Sequence, residues 1–204
     1  RLVSDWSSDV CSSDLLTLTR ATFSENSAFE SGGALASSSG TLTITQSTLS
    51  TNTAGTDGGG LSLGATPTTI TGTTIDSNTA ANGAGVHSAA ALSLTSVTVS
   101  GNAATASGGG IHSSGDLTIH NSTLAHNTAP TAGGILAAAG TLLLQSTIVG
   151  ANSGGDISGP ISASGSSANN LIADASAAGG LLNGTGGNLV GVDPRLAPLA
   201  DNGG

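Results

Sequence analysis

The sequence has no lysine, methionine or tyrosine, and only one tryptophan, one cysteine and two phenylalanines in 204 residues; 7% of the residues are charged. Each scarcity excludes something. A compact two-layer domain relies on large side chains to fill its core, and this chain has almost none. Nucleic-acid and anionic-membrane surfaces are bound through clustered Lys and Arg, whereas here the formal charge is −9, so no nucleic-acid partner is expected. No run of about 18 apolar residues occurs, so no transmembrane helix is expected in this fragment. Disorder would combine low hydrophobicity with the absence of a period, and a period is what this sequence has.

An asparagine returns at Asn26, Asn52, Asn78, Asn102, Asn127 and Asn152, with spacings of 26, 26, 24, 25 and 25. Eight residues before each stands an aliphatic residue (Leu18, Ile44, Ile70, Leu94, Ile119, Leu144), and three before each another apolar one (Phe23, Leu49, Ile75, Val99, Leu124, Val149). A third apolar position follows most of the asparagines, usually behind glycines: Leu35, Leu61, Val86, Ile111, Ile135 and Ile161. Self-similarity at this period predicts a solenoid. Within one unit, Leu92-Ser-Leu94 and Val97-Thr-Val99 alternate with strand periodicity, and Gly108-Gly-Gly-Ile111 enters a third short strand. The expected fold is therefore all-β: a single-stranded parallel β-helix of six to seven coils of about 25 residues, stacked at about 4.8 Å. The period covers 16–165, and 166–204 is expected to form an irregular cap.

Residues 5–15, DWSSDVCSSDL, resemble one reading frame of a short-read sequencing adapter. Segment 1–15 is accordingly expected to be non-native and to contribute nothing to the fold. Trp6 and Cys11 fall within it, which leaves the rest of the chain without cysteine and removes disulfides and thiolate metal sites from consideration. From Leu16 onward nine acidic residues face only Arg20 and Arg195.

The six asparagines lie at a corner, where a carboxamide offers both donor and acceptor. Stacked once per coil, they are expected to form a structural ladder rather than a ligand site. His87 and His112 occupy equivalent places 25 residues apart. Imidazole is a common metal ligand, but two ligands seldom make a site, and the equivalent positions elsewhere are Ala36, Ser62 and Leu136. A solvated histidine pair is the expectation, with no metal and no cofactor. His120 and His126 are expected to point outward without a role.

Two further classes of function have a basis in the residues. Polysaccharide lyases and glycosidases need clustered carboxylates. Glu25, Glu30, Asp57, Asp76, Asp116 and Asp156 fall at different places in the repeat, and only Asp156 and Asp174 stand where the phase degrades and an encounter is open to them. No catalytic residue is assigned. The outward pairs Thr17/Thr19, Thr43/Thr45, Thr69/Thr71, Ser93/Thr95 and Thr118/His120 resemble the Thr-x-Thr faces of β-helical ice-binding proteins, and the pattern fails at His120 and at Leu143/Gln145.

The coils of 108–135 resemble polymorphic-outer-membrane-protein-type repeats. The stretches Asn170-Leu-Ile, Gly187-Asn-Leu-Val-Gly191 and Asp193-Pro-Arg-Leu-Ala-Pro-Leu-Ala-Asp-Asn-Gly-Gly204 resemble the end of choice-of-anchor Q proteins. This resemblance covers 16–204 and implies a right-handed β-helix, a secreted or cell-surface bacterial location, and a sorting or anchoring signal beyond the motif. The chain stops inside that motif and is expected to be truncated at both ends. The resemblance supplies no catalytic residues. The function expected is that of a non-catalytic, adhesin-like scaffold whose partner is a carbohydrate or a protein.

Overall fold

The computed structural model describes residues 15–159 and 167–200. The adapter-like segment, apart from Leu15, and Ile161 lie outside the described residues. Strands recur once per coil and pair in parallel with their counterparts in the next, building a β-solenoid of about six turns. The first sheet takes the strands Leu15–Thr19, Thr41–Thr45, Thr68–Thr71, Leu92–Thr95, Leu117–His120 and Leu142–Gln145. The second begins with Thr22–Ser24, Thr48–Ser50, Thr74–Asp76 and Thr98–Ser100, and continues through Thr123–Ala125 and Ile148–Gly150. The fourth runs from Leu35–Ser37 through Leu61–Leu63, Val86–Ser88, Ile111–Ser113 and Ile135–Ala137 to Ile157–Ser158.

A third sheet lies between these, made of Ser27–Ala28, Thr53–Ala54, Thr79–Asn82 and Ala103–Ser107. Its strands are short and polar outside, and inside they stack only Ala54, Ala80, Ala104 and the neighbouring Ala84 and Ala129. No large apolar residue marks them, so the repeat reads as three strands while the backbone makes four. The main core is aliphatic: Ile44, Ile70, Leu94, Ile119 and Leu144 are fully buried in a column, each in register with the next. Burying a side chain of this size contributes about 1.5–3 kcal/mol. At the last coil it is Ile157 that pairs with Ile135, the place the sequence spacing gives to Ile161. Ile157 comes early because the final corner is shortened between Asn152 and Asp156.

The corners explain the fixed asparagine. The residue before each ladder asparagine has positive φ: Glu25, Thr51, Ser77, Gly101, His126 and Ala151. This left-handed residue ends one strand and turns the chain into the next, at a cost of roughly 1–2 kcal/mol for a residue bearing a Cβ. The asparagine that follows offsets that cost. Asn102 Nδ2 donates to Asn127 Oδ1 at 2.9 Å and to the Ile75 carbonyl at 3.0 Å. Its Oδ1 accepts from both Asn78 Nδ2 and the Asn78 backbone N–H, each at 2.9 Å. The same bonds join Asn26 to Asn52, Asn52 to Asn78 and Asn127 to Asn152. Asn52, Asn78, Asn102 and Asn127 are completely buried. The glycine runs pack directly on this ladder: a Cβ on Gly85 would sit 2.5 Å from the Gly110 carbonyl oxygen and 3.2 Å from the Asn102 amide.

The preceding corner repeats the device more weakly. Arg20, Gln46, Gly72, Ser96, Asn121, Ser146 and Asn169 have positive φ, and hydroxyl side chains follow several of them. Ser47 Oγ accepts from the Ala21 N–H at 3.1 Å, and Ser122 Oγ from the Val97 N–H at 3.0 Å. Val97 interrupts the series. Beyond the regular coils, Asn170 and Asn188 stand in this column: Asn170 Nδ2 donates to Asn188 Oδ1 at 2.9 Å, and Thr147 N–H donates to Asn170 Oδ1 at 3.0 Å. Leu171–Ile172 and Leu189–Val190 thereby extend the second sheet to eight strands.

Two substitutions separate the corner's cost from its compensation. Asn102→Ala removes the acceptor of two Asn78 N–H groups and the donor to Asn127 Oδ1, and should lower unfolding free energy by about 1–3 kcal/mol; a denaturant midpoint equal to the parent's would refute the ladder's energetic role. Thr51→Gly, at an exposed left-handed position, should instead raise stability by about 0.5–1 kcal/mol. A loss there would mean that the strain is not in the backbone.

Candidate functional site

The parallel register sets His87 directly opposite His112. Their rings lie 5.0 Å apart between centroids with planes inclined at 65°, and both side chains are half-buried on the outer face of the fourth sheet. Ser62 and Leu136 bound the pair on the adjoining strands.

A polar chain reaches this pair from the third sheet. Asn82 Nδ2 donates to Asp57 Oδ1 at 3.1 Å, Ser107 Oγ donates to Asn82 Oδ1 at 2.8 Å, and His112 Nδ1 lies 3.2 Å from Ser107 Oγ. The order of donors follows from Asp57. A carboxylate accepts only, so the Asn82 amide must turn its NH2 toward it and its oxygen toward Ser107. Ser107 then spends its one hydrogen on Asn82 and can only accept from His112. His112 therefore carries its proton on Nδ1 and leaves the Nε2 lone pair free. Burial, and secondarily the neighbouring His87, hold the His112 pKa below the ordinary imidazole value, against a weaker opposing pull from Asp57. The sequence reading found the two histidines. It did not find Asp57, Asn82 and Ser107 as a set, because residues of three types 25 apart carry no common signal until the third sheet brings them into line.

The other candidate residues are not assembled into one site. His120 lies in register with Thr95 and Gln145 on the first sheet. His126, expected to point outward, has its Nε2 buried with no hydrogen-bond partner. Leu196, Ala197 and Leu199 of the C-terminal segment line the same groove as His126, with Thr98, Ser100, Thr123 and Ala125. Asp156 and Asp174 do meet, but not as an acid–base pair. Asp156 is 1% exposed; it accepts from Asn152 Nδ2 at 2.9 Å and from the Asp174 backbone N–H at 2.7 Å. It thus takes, at the end of the ladder, the place of the next asparagine. The Asp174 carboxylate caps a short 3-10 turn through the Ser176 N–H and hydroxyl. Among the described residues no group of three or more His, Cys, Asp or Glu side chains is placed to hold a metal ion together, and no helix is long and apolar enough to cross a membrane. The outward threonine pairs of the first sheet stand in register from Thr17/Thr19 to Ser93/Thr95, and the rank ends at His120, Leu143 and Gln145.

The family model of NosD, a periplasmic copper-binding protein, matches residues 7–134. The chain belongs to the NosD family. No curated protein and no solved structure matches it. The NosD match spans the coils that carry all four histidines and ends before the strand Ile135–Ala137. The repeats compared above with polymorphic-outer-membrane-protein-type coils thus fall in a family described as periplasmic, an extracytoplasmic setting. The terminal segment that resembles choice-of-anchor Q proteins lies beyond the matched span.

Burial pushes the Asp156 carboxyl up from the ordinary carboxylate range, against the hydrogen bonds from Asn152 and Asp174. The folded state therefore binds this proton more readily than the unfolded chain does. The associated stability is complete below the unfolded value of about 3.9 and is lost as pH rises through the higher folded value. Asp116 and Asp174 have the opposite sign, since hydrogen bonds from Thr141 and from Ser176 lower them. The melting temperature of the parent relative to Asp156→Asn should rise as pH falls from neutrality toward about 4.5. A difference that does not move with pH would remove Asp156 from the account.

Proposed function

We propose that this NosD family chain is a non-catalytic, extracytoplasmic β-helical scaffold that presents long polar faces to a protein or carbohydrate partner, in an adhesin-like manner. The observation that supports this most directly is the register of the outer faces: Thr22, Thr48, Thr74, Thr98 and Thr123 form one unbroken outward rank on the second sheet, beside the threonine pairs of the first. Solenoids use such surfaces for extended partners. Two shallow grooves among the described residues, of about 210 and 200 Å³, are smaller than the ~300–1,000 Å³ of usual small-molecule pockets. The carboxylates that a lyase or glycosidase would need are engaged elsewhere: Asp156 with Asn152 and the Asp174 N–H, Asp174 with Ser176, and Asp57 with Asn82. The six ladder asparagines serve structure in this reading. The resemblance of 193–204 to the choice-of-anchor Q terminus supports attachment at the cell surface.

Copper, named in the family's description, meets a limited donor set here. A closed site made wholly of protein ligands has no counterpart among the described residues. What fits copper chemically is the imidazole pair, since imidazole is a favoured ligand for copper and a second-shell hydrogen bond that fixes the tautomer is the usual companion of a ligating histidine.

The scaffold reading is tested by incubating the full chain with acidic and neutral polysaccharides and following release of unsaturated and reducing ends. No turnover is expected. Saturable cleavage that disappears in Asp156→Asn or Asp174→Asn, with circular dichroism unchanged, would overturn the scaffold reading in favour of an enzyme.

A further inference from the structure

We propose that the outer channel of the second sheet is a docking surface for an extended, proline- and leucine-bearing segment of a protein partner, and that residues 194–199 hold it in cis until such a segment displaces them. This names a partner for one face of the scaffold proposed above and rests on that reading; peptide binding is measured apart from polysaccharide cleavage, so either can fail alone. In each strand of the second sheet the first and third residues point outward. The first positions carry the threonine rank. The third positions are Ser24, Ser50, Asp76, Ser100, Ala125 and Gly150, in register from coil to coil. This column shrinks toward the last coil, and a covering segment takes the space. The Pro194 ring lies against Gly150, where a Cβ would meet its Cγ at 2.9 Å. Leu196, Ala197 and Leu199 share a groove with Ser100, Thr123, Ala125 and His126. Ser100 and Ala125 are each only 4% exposed although they stand on the outer face, as a segment laid over them requires. Away from that segment the same column opens: Asp76 and Ser50 are half-buried and Ser24 is exposed.

The seated segment shows what the channel accepts: a prolyl ring and aliphatic side chains on a backbone without regular secondary structure. Proline restricts the backbone beforehand, so such a segment loses little freedom on docking. The seating is also incomplete. Among the described residues no hydrogen bond joins 194–199 to the sheet; the Arg195 N–H turns back to Asp193 Oδ1 at 2.8 Å. Arg195 is held at positive φ, an unfavourable conformation for a residue bearing a Cβ. Leu199 stays 50% exposed. His126 lines the groove, and its Nε2 is buried without a partner. A segment that brings a backbone N–H or carbonyl to that nitrogen gains a bond the present occupant does not make. An occupant in cis acts at high effective concentration, so a partner segment must fit better than it does, and these deficits are where it can.

The test uses the full chain and a fluorescein-labelled peptide of sequence GVDPRLAPLA, that of residues 191–200, followed by fluorescence anisotropy. In the full-length variant Leu196→Ser/Leu199→Ser, whose own segment is weakened, the peptide should bind saturably. It should bind the parent at least ~10-fold more weakly, because the parent's segment competes at high effective concentration. Ala125→Arg added to the variant fills the channel floor and should abolish binding, whereas His120→Ala, on the first sheet, should leave it unchanged. A measurement on the unsubstituted chain guards against misfolded variants: excess unlabelled peptide should shift the methyl resonances of Ala125, Leu196 and Leu199 together. Four results would each overturn the proposal: no peptide binding to a variant whose circular dichroism matches the parent's, equal affinity for parent and variant, undiminished binding with Ala125→Arg, or parent methyl resonances that excess peptide does not move. Association of the variant into dimers in place of peptide binding would overturn it as well, by making a second copy the occupant.

Discussion

The hydrogen bond from one asparagine amide to the next is the interaction on which the rest of this structure depends. A parallel solenoid must turn the chain sharply several times per coil, and each turn leaves backbone groups that a strand ladder cannot satisfy. Here the turn is made by a single left-handed residue, followed by a side chain that carries two donors and an acceptor with two lone pairs. At Asn102 all four capacities are used, by Asn127, Ile75 and two N–H groups of Asn78. In a buried setting an unused capacity would be costly, so no other side chain of similar size substitutes well. The glycine column follows from the same demand, since the next strand must enter close enough to cover the amides. The aliphatic core then fills whatever width the corners leave, which is why Leu, Ile and Val suffice and aromatic residues are nearly absent.

The solenoid was legible because three of its determinants are strong residue choices at a constant period: the corner asparagine, the aliphatic residues before it and the glycines after it. The third sheet was not legible, since its interior is alanine and its exterior threonine and serine, a composition equally compatible with a loop. The hydroxyl corner at Ser47, Thr73, Ser122 and Thr147 was hidden for a similar reason. Serine and threonine are so common in this chain that four aligned positions do not stand out, and Val97 breaks the series. At the C-terminal end the period shortens to 18 residues between Asn170 and Asn188, and a search at 25 residues does not find it.

The same physics governs the histidine face. The two imidazoles were visible as equivalent positions, but what distinguishes them from any pair on a sheet is a chain of donors and acceptors that begins at a carboxylate two coils away. A side chain without donors at one end fixes the orientation of an amide, a hydroxyl and a ring in succession. Sequence spacing carries the positions of such a relay but not its direction.

That directionality has a consequence at the scale of the whole rod. Every ladder amide donates toward the later coil, from Asn26 through to Asn152, so the stack of carboxamides is polar in the manner of a helix axis. Within the described coils the order runs without reversal from Asn26 to Asp156, whose one carboxyl oxygen accepts from Asn152 Nδ2 and whose other accepts from the Asp174 N–H. An aspartate has no amide donor to pass on, so the run of donors stops there, and the coils that follow are joined through the other corner column, at Asn170 and Asn188. The molecule thus changes the column that carries its polarity at the place where its period changes.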